Sequence, residues 1–177
     1  QMCIRDSFQV FQPRGGGKRQ APTFDVIAPG VAKHEEEIVL APGAEPAADP
    51  NLVLRVAVAA AEYGLPIAPG TLRNLKKCPI GDRNWTDESR ELFIRLLASG
   101  PALLNVWEDI DFIDVPGKLI PEWLGVRNRP SASAAHRYTI DRHMVEVVTR
   151  LGRETPSGGR YDDRHYEALL LAGILHD

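Results

Sequence analysis

Thr139-Ile140-Asp141-Arg142-His143-Met144-Val145-Glu146-Val147-Val148-Thr149-Arg150-Leu151 decides how the rest of the chain is read. Ile140, His143, Val147 and Leu151 recur at i, i+3, i+7 and i+11, flanked by Met144 and Val148. That is the spacing of one helical face. It predicts a helix from about Thr139 or Asp141 to Leu151, with His143 on the buried side. A lone imidazole there is either a hydrogen-bonded core histidine or a metal ligand, and the helix alone leaves both open. Asp141 falls in the first turn, where the helix dipole by itself accounts for a carboxylate. His136, just ahead, either caps the helix or meets a substrate.

The chain closes on a second apolar pattern. Ala168-Leu169-Leu170-Leu171-Ala172-Gly173-Ile174-Leu175 is apolar on every side, which predicts a central buried helix beginning near Asp162 or Asp163. His165, among Asp162, Asp163 and Arg164, falls on its polar start. His176-Asp177 follow directly. A buried carboxylate beside a buried imidazole is costly unless a cation or full hydrogen bonding compensates it. The pair is also a suitable ligand set for a hydrolytic divalent metal. The other reading, a helix ending in solvent, stands beside it. The pattern stops without a cap or glycine, which reads as a fragment cut within a helix.

Outward from these helices the chain is mostly helical. Asp49-Pro50 reads as an N-cap and first-turn proline for a helix carrying Leu52, Val53, Val56, Ala59, Ala60 and Tyr63, closed by Gly64. A short helix is expected over about Pro69–Lys77. Another starts at Thr86 with Asp87 and Glu88 in its first turn, presents Leu92, Phe93, Leu96 and Leu97, and closes at Gly100. A fourth spans about Ala102–Ile113 with Leu103, Val106, Trp107 and Ile110 on one side, and Pro116-Gly117 is expected to stop it. Pro121-Glu122-Trp123-Leu124 begins one more. Trp107, Phe112 and Trp123 at helical spacing are read as core. Near the start, Val26-Ile27 and Ile38-Val39-Leu40 with Pro29-Gly30 between them predict a short hairpin, and Glu35-Glu36-Glu37 a solvated run. Residues 8–24 read as a linker; Gly15-Gly16-Gly17-Lys18 lacks the spacing and preceding strand of a phosphate loop.

Composition sets outer bounds. Hydrophobic residues are 44% and charged residues 25% of the 177, enough for a core in an ordinary globular chain. A net charge of −3 gives no reason to expect nucleic acid or a membrane surface as partner. No apolar run approaches the roughly 20 residues of a membrane span. Cys3 and Cys78 cannot build a disulfide framework, which suits the reducing cytoplasm.

His136-Arg137-Tyr138-Thr139-Ile140-Asp141-Arg142-His143, followed by a helix and then Leu169 through Asp177, resembles the opening of HD-superfamily metal phosphohydrolase domains. The preceding block, Leu119-Ile120-Pro121-Glu122-Trp123 through Arg127 and then Arg129-Pro130, narrows the likeness. It resembles the uridylyltransferase/uridylyl-removing enzyme family from about Val26 onward, most clearly after Trp107. The resemblance implies a fold that is mainly α: a helical connector leading into the first helices of an HD-type all-α domain, with a small β element near the N-terminus. Residues 1–23 read as an unstructured leader, partly non-native, since Gln1–Ser7 fits no signal peptide; the resemblance implies the connector at 24–117 and the start of the HD domain at 118–177. His143, His176 and Asp177 would hold a divalent metal, Mg or Mn, with His176 and Asp177 as the catalytic pair and His136 and Asp141 as second candidates.

The implied reaction is removal of UMP from a PII signalling protein in the cytoplasm. UTP would serve a separate transferase domain, and ACT domains would sense glutamine. The Gly-Ser and Asp-x-Asp motifs of transfer have no match here, nor does the last metal-binding Asp, so the stretch by itself is expected to be inactive. Two other readings remain: a different HD-superfamily nucleotide phosphohydrolase, and a non-catalytic helical interaction module.

Overall fold

The computed structural model describes residues 23–80, 85–130, 139–153 and 171–172. It is mainly helical with a small sheet at its start, as the sequence implies. The predicted hairpin is in fact a three-stranded meander of β1 (Asp25–Ala28), β2 (Val31–His34) and β3 (Glu37–Leu40), in the order β1-β2-β3. Both pairings are antiparallel, with Val26 opposite Ala32 and Lys33 opposite Ile38. Gly30 makes the first turn at φ +75°, and a Cβ there would sit 2.7 Å from Leu52 Cδ1, so both backbone and space call for glycine. Glu35 and Glu36 make the second turn, and all three glutamates are exposed.

Seven helices follow among the described residues: α1 (Leu52–Tyr63), α2 (Pro69–Leu75), α3 (Asp87–Leu97), α4 (Ala102–Phe112), α5 (Val115–Leu119), α6 (Trp123–Val126) and α7 (Ile140–Arg153). Their local signals explain most of these bounds. Thr86 caps α3 by accepting from Ser89 N at 3.1 Å, with Asp87 and Glu88 in the first turn. Gly64 ends α1 in the left-handed conformation.

Two expected boundaries move. The N-cap of α1 is Asn51, whose amide donates to Asp49 Oδ1 at 3.0 Å, so Asp49-Pro50 forms the approach to the helix. Pro116-Gly117 does not stop α4; both lie inside α5, where Pro at an early position costs no hydrogen bond. The break falls at Asp114, which takes φ +63°.

α1 is the most buried helix described, with nine buried residues from Leu52 to Ala61. It packs on α3, α4 and the sheet. Ile38 extends this platform by accepting from Ala68 N at 3.0 Å and donating to Pro66 O at 2.9 Å. One continuous apolar core runs from Val31 through Leu54, Leu96, Leu103 and Ile110 to Val148, so α7 closes on the same core that α1 organises. Leu171 packs at its edge, half-buried, and Ala172 is exposed. The rest of the final apolar stretch, the 1–22 leader and His165 lie outside the described residues. No described helix is long and apolar enough to cross a membrane.

Candidate functional site

α7 forms where its sequence predicts, but rotated about its axis. Met144, Val145 and Val148 are fully buried, together with Asp141 and Thr149. Ile140, His143, Val147 and Leu151 are half-buried. The buried face is therefore centred one step round from the expected stripe, because α4 and α3 cover the 144–145–148 side. His143 sits at the border of that face.

Asp141 is a structural anchor in this arrangement. It is 9% exposed, and its Oδ2 accepts from Asn128 N at 2.8 Å while Oδ1 accepts from Arg142 N at 2.9 Å. Asn128, whose amide meets the carboxylate, takes φ +57°. Ile140 N donates to Arg129 O at 2.9 Å, so the first turn of α7 is tied to the chain leaving α6 at two points. Arg142 pairs with Glu108 of α4, and its Nε lies 3.5 Å from Glu146.

The Pro-Glu-Trp block proves to be the other half of this junction. Trp123 Nε1 donates to Asp111 Oδ1 at 2.8 Å, and Arg127 Nε donates to Asp111 Oδ2 at 2.9 Å. Arg127 also donates to Asp111 O and to Asp114 Oδ1, each at 2.7 Å. The guanidinium beside Asp114 holds that carboxyl below its ordinary range. Asp111 and Arg127 were not singled out as a pair by sequence reasoning. Their signal is the arginine of the quoted block together with an aspartate at the end of an amphipathic helix, and only the fold shows that they meet.

Trp107 and Trp123 are core, their rings edge-to-face at 5.1 Å. Phe112 is not: it is 75% exposed, on the side of α4 opposite Leu103, Val106 and Ile110, with Lys76 Nζ 5.5 Å from its ring centre. Cys78 is buried, and burial pushes its thiol up to about 11, so it is protonated at neutral pH and no nucleophile.

His136, His176 and Asp177 lie outside the described residues, and so does the expected approach of the dyad to His143. No group of three or more His, Cys, Asp or Glu side chains that could hold a metal ion occurs among the described residues. What they offer such a site is one imidazole, half-buried, on a helix pinned at its first turn. That suits one member of a ligand set and is not a set by itself.

These elements thus make a helical scaffold that presents a histidine, and comparison with curated proteins supplies the enzyme class. Over 166 residues, 93% of this chain and 19% of the relative, it is 39% identical to the bifunctional uridylyltransferase/uridylyl-removing enzyme of Streptomyces coelicolor. The protein of that name from Mycobacterium tuberculosis is 38% identical over 84% of this chain and 18% of its own length. That from Corynebacterium glutamicum is 33% identical over 73% and 18%. The chain belongs to the bifunctional uridylyltransferase/uridylyl-removing enzyme family. It spans about a fifth of the length of these curated relatives. No family model and no solved structure matches it.

Proposed function

We propose that this stretch joins the two activities of a bifunctional enzyme that adds uridylyl groups to a PII signalling protein and removes them. Residues 24–117 form the connector and 118–177 open the uridylyl-removing HD domain. The observation that carries the reading is the similarity to relatives bearing both activities in their name, running across both segments. His143, His176 and Asp177 would hold a divalent metal, Mg or Mn, and a further carboxylate from elsewhere in the protein would complete the set. Once bound, the metal would acidify a water and polarise the phosphoryl oxygen of the UMP–protein bond. His143 would contribute its imidazole from α7, and the packing of Met144, Val145 and Val148 keeps that helix in place. UTP would be used at a transferase site built from residues outside this stretch, and ACT domains would sense glutamine, all in the cytoplasm.

The test is made in a full-length enzyme containing these residues. Changing His176 and Asp177 together to Ala should abolish uridylyl removal and leave transfer largely intact, because the two chemistries use separate sites. Both reactions are followed on one preparation whose folding is checked by circular dichroism. Removal at near wild-type rate in the folded double variant would overturn the assignment. Loss of both reactions from a folded protein would show that the sites are not independent.

A further inference from the structure

A half-open cleft of about 270 Å³ lies at the junction of α4, α6 and α7, lined by Trp107, Asp111, Trp123, Asn128, Asp141 and Val145 among others. Among the described residues, no acceptor lies within reach of the buried Trp107 Nε1. Interdigitated apolar side chains normally fix the angle between helices. Polar contacts at the edges of this opening add to that packing. Those contacts form one line. Asp111 holds Trp123 and Arg127; the next residue, Asn128, donates its amide to Asp141; Asp141 also accepts from the first turn of α7; His143 follows two residues later.

We infer that Asp141 is a positioning residue for His143. By fixing the α6–α7 connection against the first turn of α7, it sets the rotation at which α7 presents the imidazole, and Asp111 anchors the far end of the same line. The inference rests on the reading of His143 as a metal ligand. Each Asp141 oxygen is engaged by a backbone amide, and the buried side chain lines the same cleft as residues of α4 and α6. An outer partner of a metal ligand is commonly worth about 10–100-fold in metal affinity. Asp141 acts through backbone, so the lower end applies.

The experiment measures Mn2+ affinity by calorimetry on the full-length enzyme, for wild type, Asp141→Asn, Asp141→Ala and His143→Ala. The His143 imidazole NMR signals and the transfer activity are followed on the same samples. Asp141→Asn is isosteric and keeps one acceptor, so it carries the test if Asp141→Ala does not fold. The expected result is Mn2+ binding about 10-fold weaker in Asp141→Ala and less so in Asp141→Asn, with shifted His143 signals and unchanged transfer. A purely structural role would lower the unfolding midpoint and leave the affinity of the folded protein and the imidazole signals as in wild type. That result, with binding lost in His143→Ala, overturns the positioning role alone. Wild-type Mn2+ affinity in His143→Ala overturns the ligand reading, and the inference with it.

Discussion

Two arginines in this molecule do chemically similar things on very different scales. The Arg55 guanidinium donates to Pro29 O at 3.0 Å and to Glu88 at 2.6 Å, and also pairs with Asp49. Arg127 likewise binds two carboxylates, Asp111 and Asp114, and one carbonyl, Asp111 O. The partners of Arg55 belong to the β1–β2 turn, the approach to α1 and the first turn of α3, which meet only when the whole platform is folded. Those of Arg127 all lie between residues 111 and 114, a single turn at the end of α4. The first is a tertiary staple; the second orients one joint. Chain separation, rather than hydrogen-bond count, decides which of them the global fold needs.

The strongest way to break the contrast is to remove what both regions share. Trp107 is 3% exposed and packs between Phe93 of α3, at 6.3 Å between ring centres, and Trp123 of α6. Trp107→Ala should cost about 3–5 kcal/mol in urea denaturation and weaken both regions together. A loss under 1 kcal/mol would show that the α3–α4–α6 core is not continuous in solution.

The contrast itself is sharpened by Arg55→Ala against Arg127→Ala. Arg55, with a side chain 11% exposed, should cost about 2 kcal/mol, since partners as exposed as Glu88 recover water when it leaves. Arg127→Ala should cost global stability only about 1 kcal/mol, because the α6–α7 joint can open by itself. Amide exchange tells the two apart: Arg55→Ala should raise exchange throughout the sheet, α1 and α3, and Arg127→Ala only across α6 and the start of α7. The same pattern in both variants would sink the distinction.

The smallest effect is one of pH. Hydrogen bonds from Asn51, then from Arg55, hold the Glu88 carboxyl below its ordinary value. A carboxyl with a depressed folded value stabilises fully above its unfolded value and loses that contribution as pH falls through the folded one. Glu88 is half exposed, so after screening the contribution is about 0.5 kcal/mol. Glu88→Gln should therefore flatten the decline of the urea midpoint between about pH 5 and 3. An unchanged slope would mean that another carboxylate carries the acid limb.

Much of the helical layout was legible because its signals are local. Thr86 with Asp87 and Glu88, Gly64 at the end of α1 and the 3.6-residue recurrence from Ile140 to Leu151 act within a turn or two of themselves, and the helices form where they point. Of the candidate site residues, His143 and Asp141 lie on the expected helix, where Asp141 also holds the α6–α7 connection, while His136, His176 and Asp177 fall outside the described residues.

The remaining features depended on which surface another element came to cover. β2 became a middle strand because β3 found the platform edge at Ile38 and Ala68. Phe112, apolar and well spaced, stayed outside because α4 turned its Leu103–Ile110 side to α1. α7 rotated its buried face onto Met144, Val145 and Val148, leaving His143 at the border, for the same reason. The meeting of Asp111 with Trp123 and Arg127 had no periodicity to announce it, since a hydrogen bond between side chains 12 and 16 residues apart exists only once the intervening chain has folded back. Residue identity set which helices could form. Which of their faces would be covered, and so how His143 is held, was decided by packing, because burial is a property of pairs of surfaces and no single segment carries it.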